Sequence, residues 1–584
     1  MRSYKKLSGL VLGAMLLGTV LPTCKDEFLD VTARGQLAPE VLATKAGVEG
    51  VVLGAYAQLG GRGNYFGGAS NWANGSIQGG EANKGTEDGD FSSINDLVRY
   101  QLDPTHGIPN DRWRGLFEGV TRANAALTLL ANATDDPQLR AEDAARLEGE
   151  ARFLRGHYYF QLQISFNQAP FLTPGLTVEE QQVVVSTSNW AEIEADFQFA
   201  YDNLPETLLE AGRANKWAAG AYLAKTYLYQ SKWTEARTVF EDVVANGQTT
   251  NGQKYGLLDN YANAFNGDFD NSKESVFAVQ AAANTGTTNV ANPDMVLNYP
   301  HGTGSSGPGN CCGFFQPTFD IANSFRTSDG LPLLDNSYNN PDNRLATDFG
   351  LESSDPFTPD AGPVDPRLDH SVGRRGLPYL GWGGDAQVHP GKSWIRLQSN
   401  GGPYSPKKFV YYASQEGTIS DGTSWTRGWA AMNYNIIRYA DVLLMLAEAR
   451  IQTDDLAGGL ELINQVRARA ASEASQLKNQ DGEDAANYEI SLYSSFSNKD
   501  AALRALYFER KLELSGEGHR FFDLRRWGLA EPELNRIVDF ESQFLPGPYA
   551  GAEFVVPQDL YYPIPQSQID LQGSEILPQN PGYN

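Results

Sequence analysis

The segment NKWAAGAYLAKTYLYQSKWTEARTVFEDVVANG, residues 215–247, predicts two amphipathic helices joined by a short turn. Ala218, Ala221 and Ala224 place small side chains on the first helix and let a second helix approach it closely. Large side chains such as Tyr222 fill the gaps between the two helices, and an Asn-Gly pair ends the second one. The pattern is typical of a tetratricopeptide-like hairpin of about 34 residues.

Three further pairs of segments show the same helical periodicity. They cover residues 111–130 with 138–166, 436–451 with 456–470, and 499–515 with 521–527. A single hairpin cannot bury its apolar face, so we expect the hairpins to stack into a right-handed solenoid. Because the pairs are scattered along the chain, other segments must be inserted between them. The sequence therefore predicts a mainly α fold in which a tetratricopeptide-like helical hairpin scaffold carries long insertions.

Two long segments between the hairpins lack helical periodicity. They are rich in Gly, Asn and aromatic residues, and loops of this length in a compact domain are usually functional. Their aromatic content argues against disorder, so we expect one irregular, loop-rich lobe with short strands. The predicted domain, residues 41–584, divides into a scaffold at about 41–60, 97–283 and 429–540, a lobe at about 61–96 and 284–428, and a C-terminal segment at 541–584.

The first residues of the chain predict its compartment. Three basic residues within the first six precede the apolar stretch 7–21, which is the order of a secretory signal and too short to span a bilayer comfortably. The sequence Leu-Pro-Thr-Cys at 21–24 looks like a bacterial lipobox. We therefore expect a signal peptide at residues 1–23, acylation of Cys24, and a lipid-anchored linker at 24–40. The alternative is an ordinary signal peptide with a chance cysteine.

Charge and cysteine content exclude several functions. The formal net charge of −25 repels phosphate backbones, so nucleic acid is a poor partner, and it gives no polybasic attraction to anionic lipid. Beyond Cys24 the chain has only the adjacent Cys311 and Cys312 in a Gly-rich loop. They form either a vicinal disulfide that shapes a ligand loop or two buried thiols without a redox role, and the sequence does not decide between the two.

Seven segments in order resemble the SusD/RagB family of outer-membrane nutrient-binding lipoproteins. These are residues 113–124, 149–155, 215–228, 365–369, 437–444, 464–467 and 509–527, followed by family-like endings at 562–565 and 579–583. The resemblance implies a lipoprotein on the outer membrane that faces outward and acts as a lid on a SusC-like TonB-dependent transporter. It also implies delivery of oligosaccharides, or in some members of peptides.

The best-matching motifs carry dense mixed charge. Arg438, Asp441 and Glu448 fall at helical spacings. A further mixed-charge set consists of Glu509, Arg510, Glu513, Arg520, Asp523 and Arg525. Inside a solenoid such residues favour a structural ion-pair network over a binding site.

Catalytic and metal-binding motifs are missing from the sequence. It contains no G-x-S-x-G, H-E-x-x-H or Walker pattern, and its six histidines have no metal-ligand spacing. We therefore predict no enzyme and no cofactor. The run Glu87-Asp88-Gly89-Asp90 is more typical of a solvated acidic turn than of a structural calcium site, which stays the alternative.

Aromatic residues in the two inserted segments predict the ligand site. A carbohydrate site places a flat ring under the sugar and polar groups around its hydroxyls. The candidates are Tyr65, Trp72 and Asp88 in the first segment and Arg374, Tyr379, Trp382 and Trp394 in the second. Core packing is the alternative for each ring, and Trp72 and Trp382 are favoured because small neighbours would leave them uncovered. The competing functions are a lipid-anchored adaptor, a peptide-binding importer component and an enzyme.

Overall fold

The computed structural model describes residues 42–63, 66–292 and 294–583. Within them most regular structure is helical. The α-helices are α1 Lys45–Ala57, α2 Ser93–Arg99, α3 Gly107–Asn132, α4 Ala141–Phe166, α5 Val178–Gln181, α6 Trp190–Asn203, α7 Lys216–Tyr229, α8 Trp233–Asn246, α9 Phe319–Asn323, α10 Leu368–Ser371, α11 Gln398–Gly401, α12 Tyr439–Gln452, α13 Leu456–Ala470, α14 Lys499–Glu513, α15 Arg520–Arg526, α16 Ala530–Glu541 and α17 Gln566–Gln572.

The long helices pack on one another in the order of the chain. Helix α3 packs on α4, α4 on α6, α6 on α7, α7 on α8, α8 on α12, and α12 on both α13 and α14. Three predicted helix pairs are confirmed as α3 with α4, α7 with α8, and α12 with α13, each packed on its partner. The two helices of the fourth pair form as α14 and α15, but α14 packs on α12 and α13. Helices α1, α6 and α16 lie within the predicted scaffold but were not among its four predicted pairs, although α6 buries Ile193, Phe197 and Ala200.

The strands are short and pair in twos. They are β1 Ala82–Gly85, β2 Ala169–Pro170, β3 Ser186–Thr187, β4 Ser275–Val279, β5 Phe314–Pro317, β6 Thr327–Ser328, β7 Leu331–Pro332, β8 Val372–Gly373, β9 Ser405–Pro406 and β10 Tyr434–Arg438. The antiparallel pairs are β1 with β5, β4 with β10, β2 with β3, β6 with β7 and β8 with β9. The prediction that the third helix pair begins at residue 436 was wrong, because residues 434–438 pair with β4 before α12 begins.

A buried ion-pair network joins the C-terminal helices, as the charge pattern predicted. Arg438 at the end of β10 donates to Glu274, Glu513 and Glu517, at 2.9, 2.6 and 2.7 Å. The guanidinium of Arg367 bonds to Glu509 at 2.6 Å. These side chains are almost completely buried, so the charges fix how β10, α14 and the lobe fit together.

The described residues of the domain form two hydrophobic cores. The larger one runs through the helical scaffold and into the inner part of the lobe. A smaller one lies within the lobe and consists of Tyr299, Tyr379, Trp382, Trp394, Val410, Tyr411, Ala430 and Met432. The outer lobe therefore has its own apolar centre, which holds its irregular loops in place.

Candidate functional site

The two inserted segments meet, as predicted. Strand β1 of the first segment pairs with β5 of the second, and the Thr86 amide donates to the Gly313 carbonyl at 2.6 Å. Arg396 of the second segment bonds to Asp90 at 2.7 Å and to Glu87 at 2.5 Å. One surface of the lobe is therefore built from both insertions.

The prediction that the favoured rings are uncovered was wrong. Trp72 is only 1% exposed and packs between Phe66, Phe314 and Phe315. Its small neighbours allow other backbone to pack close by, so they bury the ring instead of leaving it open. A ring buried in this way offers no face to a ligand.

The rings predicted in the second insertion are also buried. Tyr379, Trp382 and Trp394 belong to the small lobe core, where Tyr379 and Trp394 meet edge to face at 5.5 Å. The Trp382 indole N–H donates to the Tyr411 carbonyl at 3.0 Å. Their role is to support the loops, and the sequence expectation that they form ligand platforms is corrected accordingly.

The guanidinium of Arg374 is already paired with a carboxylate of the protein. It makes two bonds of 2.8 Å to the carboxylate of Asp369 and is buried. The neighbouring Arg375 donates to the carbonyls of Ser353 and Asp355 at 2.7 and 2.6 Å. Neither guanidinium is available to an acidic ligand in this conformation, contrary to the prediction for Arg374.

The remaining predicted residues have different outcomes. Asp88 is exposed, and its carboxylate accepts a bond of 3.1 Å from Asn95, so its ligand role stays a prediction. Tyr65 and Cys24 lie outside the described residues.

A lysine ammonium occupies the acidic turn, defined as residues 86–91. Lys84 Nζ donates to the carbonyls of Glu87, Asp88 and Asp90 at 2.8, 2.8 and 2.9 Å. Burial lowers the pKa of Lys84 to about 8 against the opposing pull of the nearby carboxylates. A calcium ion bound by these carbonyls would have to displace the ammonium. Within the described parts of the chain, no group of three or more His, Cys, Asp or Glu side chains could hold a metal ion.

The disulfide loop, residues 302–313, borders the acidic turn. It contains a disulfide between Cys311 and Cys312, which decides between the two readings of these cysteines. Cys312 is buried and Cys311 is half-buried, while Asn310 is exposed and accepts a bond of 2.9 Å from the Gly304 amide.

An exposed tryptophan that the sequence reasoning missed lies beside the disulfide loop. Trp425 is 60% exposed and meets the buried Trp429 edge to face, with ring centroids 6.4 Å apart. The next residue, Thr426, donates to the Gly309 carbonyl at 2.7 Å, and Arg427 donates to the Gly307 carbonyl at 3.1 Å. The signal in the sequence was the Asp-Gly-Thr-Ser turn at 421–424, which lifts the ring out of the lobe.

We call the surface formed by the acidic turn, the disulfide loop and residues 421–428 the loop face. It combines an open aromatic ring with amide, carboxylate and guanidinium groups. His301 adds a ring whose pKa is lowered by partial burial and by Arg396, so this imidazole is neutral at neutral pH. The combination suits a ligand with a weakly apolar face and many hydroxyls.

Two family models match the chain. One described as "SusD family" matches residues 273–583, and one described as "Starch-binding associating with outer membrane" matches residues 27–228. These matches support carbohydrate binding and association with the outer membrane. Within the described residues, every helix is too short or too polar to cross a membrane.

The chain is also similar to individual proteins named as SusD-like. The chain is 25% identical to the SusD-like protein P25 of Formosa agariphila over 492 residues, which cover 81% of this chain and 79% of that protein. It is similar to a SusD superfamily structure from Bacteroides vulgatus, with TM-score 0.65, 22% identity, and coverage of 90% of this chain and 97% of that chain. It is also similar to a structure named as a laminarin-binding SusD-like protein, with TM-score 0.63 and 23% identity. That match covers 92% of this chain and 100% of the other chain. The likeness to these structures shows the fold.

Proposed function

Because this chain belongs to the SusD family, we propose that it is a surface lipoprotein that binds oligosaccharides and passes them to a SusC-like TonB-dependent transporter. Binding takes place at the loop face and leaves the ligand chemically unchanged. Cys24 carries the lipid anchor, and the binding surface faces the cell exterior.

The exposed ring of Trp425 is the observation that carries the proposal. A large aromatic side chain in water is unfavourable unless a partner covers it, and a sugar ring presents C–H bonds to such a face. Asn310 and the carboxylate of Glu87 lie on the same surface, where they can pair with hydroxyl groups. The laminarin-binding protein of the same fold makes a β-glucan a reasonable first ligand to test.

The first test is calorimetric titration with a panel of neutral oligosaccharides that includes laminarin fragments. We expect Trp425→Ala to weaken binding at least about tenfold. Covering some 75 Å² of the open ring contributes about 2 kcal/mol, and 1.4 kcal/mol is tenfold in affinity. Leu209→Ala, at a 99% exposed scaffold position, is the matched control and should bind like the wild type.

The alternatives predict other results. A protein adaptor would bind no oligosaccharide, a peptide-binding component would respond only to peptides, and an enzyme would release products that chromatography detects. Equal binding by wild type and Trp425→Ala would remove the loop face as the site.

The anchor and the partner are tested in cells. Wild-type protein should incorporate radioactive palmitate and co-purify with a TonB-dependent transporter, whereas Cys24→Ser should lose the label. Unlabelled wild-type protein in the soluble fraction would contradict the lipoprotein proposal.

A further inference from the structure

A cavity of about 960 Å³ lies between the lobe and the scaffold, on another side of the segment 378–388. This segment forms one wall through Pro378, Leu380 and Val388. The same segment contacts the disulfide loop, because the Gly383 amide donates to the Ser306 carbonyl at 2.9 Å. The cavity and the loop face therefore share a wall but have different lining residues.

The opposite wall is the segment 473–481. Its hairpin is held by an ion pair of 2.6 Å between Lys478 and Asp484. Gln480 at the tip donates to the Asp385 carbonyl at 2.9 Å and so links the two walls. A volume of this size accommodates a small saccharide.

Lys407 on the floor of the cavity is a buried cation without a carboxylate partner. Its side chain is 3% exposed, and Nζ donates to the carbonyls of Asp369 and Pro378. The Tyr379 ring lies 5.7 Å from Nζ. An ammonium group has three donors, so one is left without an oxygen acceptor among the described residues. No carboxylate among the described residues lies within 4.0 Å of Nζ, and the Asp369 carboxylate is already bonded to Arg374 and to the Tyr488 hydroxyl.

This arrangement favours an anionic ligand. A buried charge is costly unless a counter-charge or further hydrogen bonds compensate for it. The two carbonyls compensate in part, and burial lowers the pKa of Lys407 to about 8. An oxyanion in the cavity would supply both the counter-charge and an acceptor for the remaining donor.

His370 on the same floor supplies an acceptor. Its Nε2 lies 2.8 Å from the Ser475 carbonyl, which can only accept, so Nε2 carries the proton of the neutral ring. Burial lowers the pKa of His370 to about 4, so the ring is neutral at pH 7. Nδ1 then has its lone pair available for a hydroxyl group.

We propose that this cavity is a second binding site that takes an acidic sugar, with Lys407 bonded to its carboxylate or sulfate group. The preference for an anion rests on Lys407 alone. The inference that a sugar carries this anion rests on the proposed function. The cavity would hold an acidic residue of a ligand while neutral residues contact the loop face.

The test is calorimetric titration of the full chain with tetragalacturonate and with its methyl ester, which differ in charge. We expect binding of the free acid and at least about tenfold weaker binding of the ester, since one charge-assisted bond of this kind is worth that much. Galactose 6-sulfate, titrated in parallel, shows whether the oxyanion is a sulfate or a carboxylate.

Two variants assign the binding to the cavity. Lys407→Met removes the charge, and Ala474→Trp narrows the cavity from an exposed position on its rim, which avoids any effect on the core. Both should weaken acidic-ligand binding at least tenfold relative to their controls, Lys254→Met and Ala125→Trp, which change exposed sites elsewhere. If Lys407→Met does not fold, Ala474→Trp decides.

The outcomes separate the two proposals. Loss of acidic-ligand binding in Trp425→Ala but not in Ala474→Trp would overturn the cavity site and leave the loop face intact. Absence of any binding of tetragalacturonate and galactose 6-sulfate would also overturn it. Retained acidic binding without any neutral oligosaccharide binding would instead contradict the loop-face proposal.

Discussion

Replacing Arg438 by methionine tests whether the buried ion-pair network holds the scaffold together. Arg438 is 1% exposed and donates to three carboxylates, those of Glu274, Glu513 and Glu517. Methionine fills similar space without the charge, so three buried carboxylates then share one cation fewer. Breaking a buried ion pair by removing one partner costs about 3–5 kcal/mol.

We expect a loss of about 3 kcal/mol, the lower end of that range, because other cations remain. Arg469 still bonds to Glu274 and Glu513, and Lys408 still bonds to Glu517 at 2.8 Å. The measurement is urea unfolding followed by tryptophan fluorescence at pH 8. Arg140→Met removes an exposed arginine that pairs with Glu142 and Asp143, and it should leave the midpoint nearly unchanged.

The pH dependence gives a second, independent readout. Burial alone would raise the pKa of Glu517, but Arg438 and Lys408 hold it below its ordinary value. Without Arg438 this pKa rises, and protonation at low pH removes the surplus negative charge. The loss of stability should therefore be largest at pH 8 and smaller at pH 5. A wild-type midpoint for Arg438→Met, or a larger loss at pH 5, would refute the reasoning.

Three further predictions concern other parts of the structure. Gly75→Ala should destabilise the protein by about 1–3 kcal/mol in thermal unfolding, because the new Cβ would lie 1.9 Å from the Gly518 carbonyl oxygen. The Cβ of Gly54→Ala in α1 meets nothing within 4 Å, so this variant should stabilise the protein by about 0.5–1 kcal/mol. Equal effects of the two variants on stability would contradict the packing argument. Burial raises the pKa of Glu541 to about 8, so the stability that this carboxyl contributes below pH 4.5 is lost as the pH rises to 8. Glu541→Gln should therefore become more stable relative to the wild type as the pH rises from 4.5 to 8. A stability difference that does not change with pH would disprove this. Lys84→Met should raise the rate of amide hydrogen exchange in residues 86–91 at least about tenfold, because three charge-assisted hydrogen bonds are lost. Exchange in α7 should stay unchanged. Unchanged exchange in residues 86–91 would show that Lys84 does not hold the acidic turn in place.

The helical scaffold could be predicted because its signal is local. The small and large side chains of α7 repeat with the period of a helix, so the hairpin follows from neighbouring residues alone. The predicted hairpin, residues 215–247, extends one residue beyond α7 at its start and one residue beyond α8 at its end. The charge-rich motif around Arg438 was also interpreted correctly, because so many buried charges need partners within the fold.

The ligand-contacting residues could not be predicted in the same way. Trp72 and Trp425 both have small polar neighbours, yet one is buried and the other is 60% exposed. Which ring is covered depends on segments far away in sequence, such as residues 314–315, which pack on Trp72. Likewise, Lys407 bonds to two carbonyls and to no carboxylate, while Arg374 bonds to the Asp369 carboxylate, and no spacing in the sequence encodes that arrangement.

The small hydrophobic core within the lobe has a consequence for how such a protein can diversify. Tyr379, Trp382 and Trp394 support the outer loops through a cluster that is separate from the core of the stacked hairpins. Substitutions on the loop surface can therefore accumulate while both cores stay unchanged, so new ligand preferences can arise without a new scaffold. Selection can act on recognition and on stability almost separately.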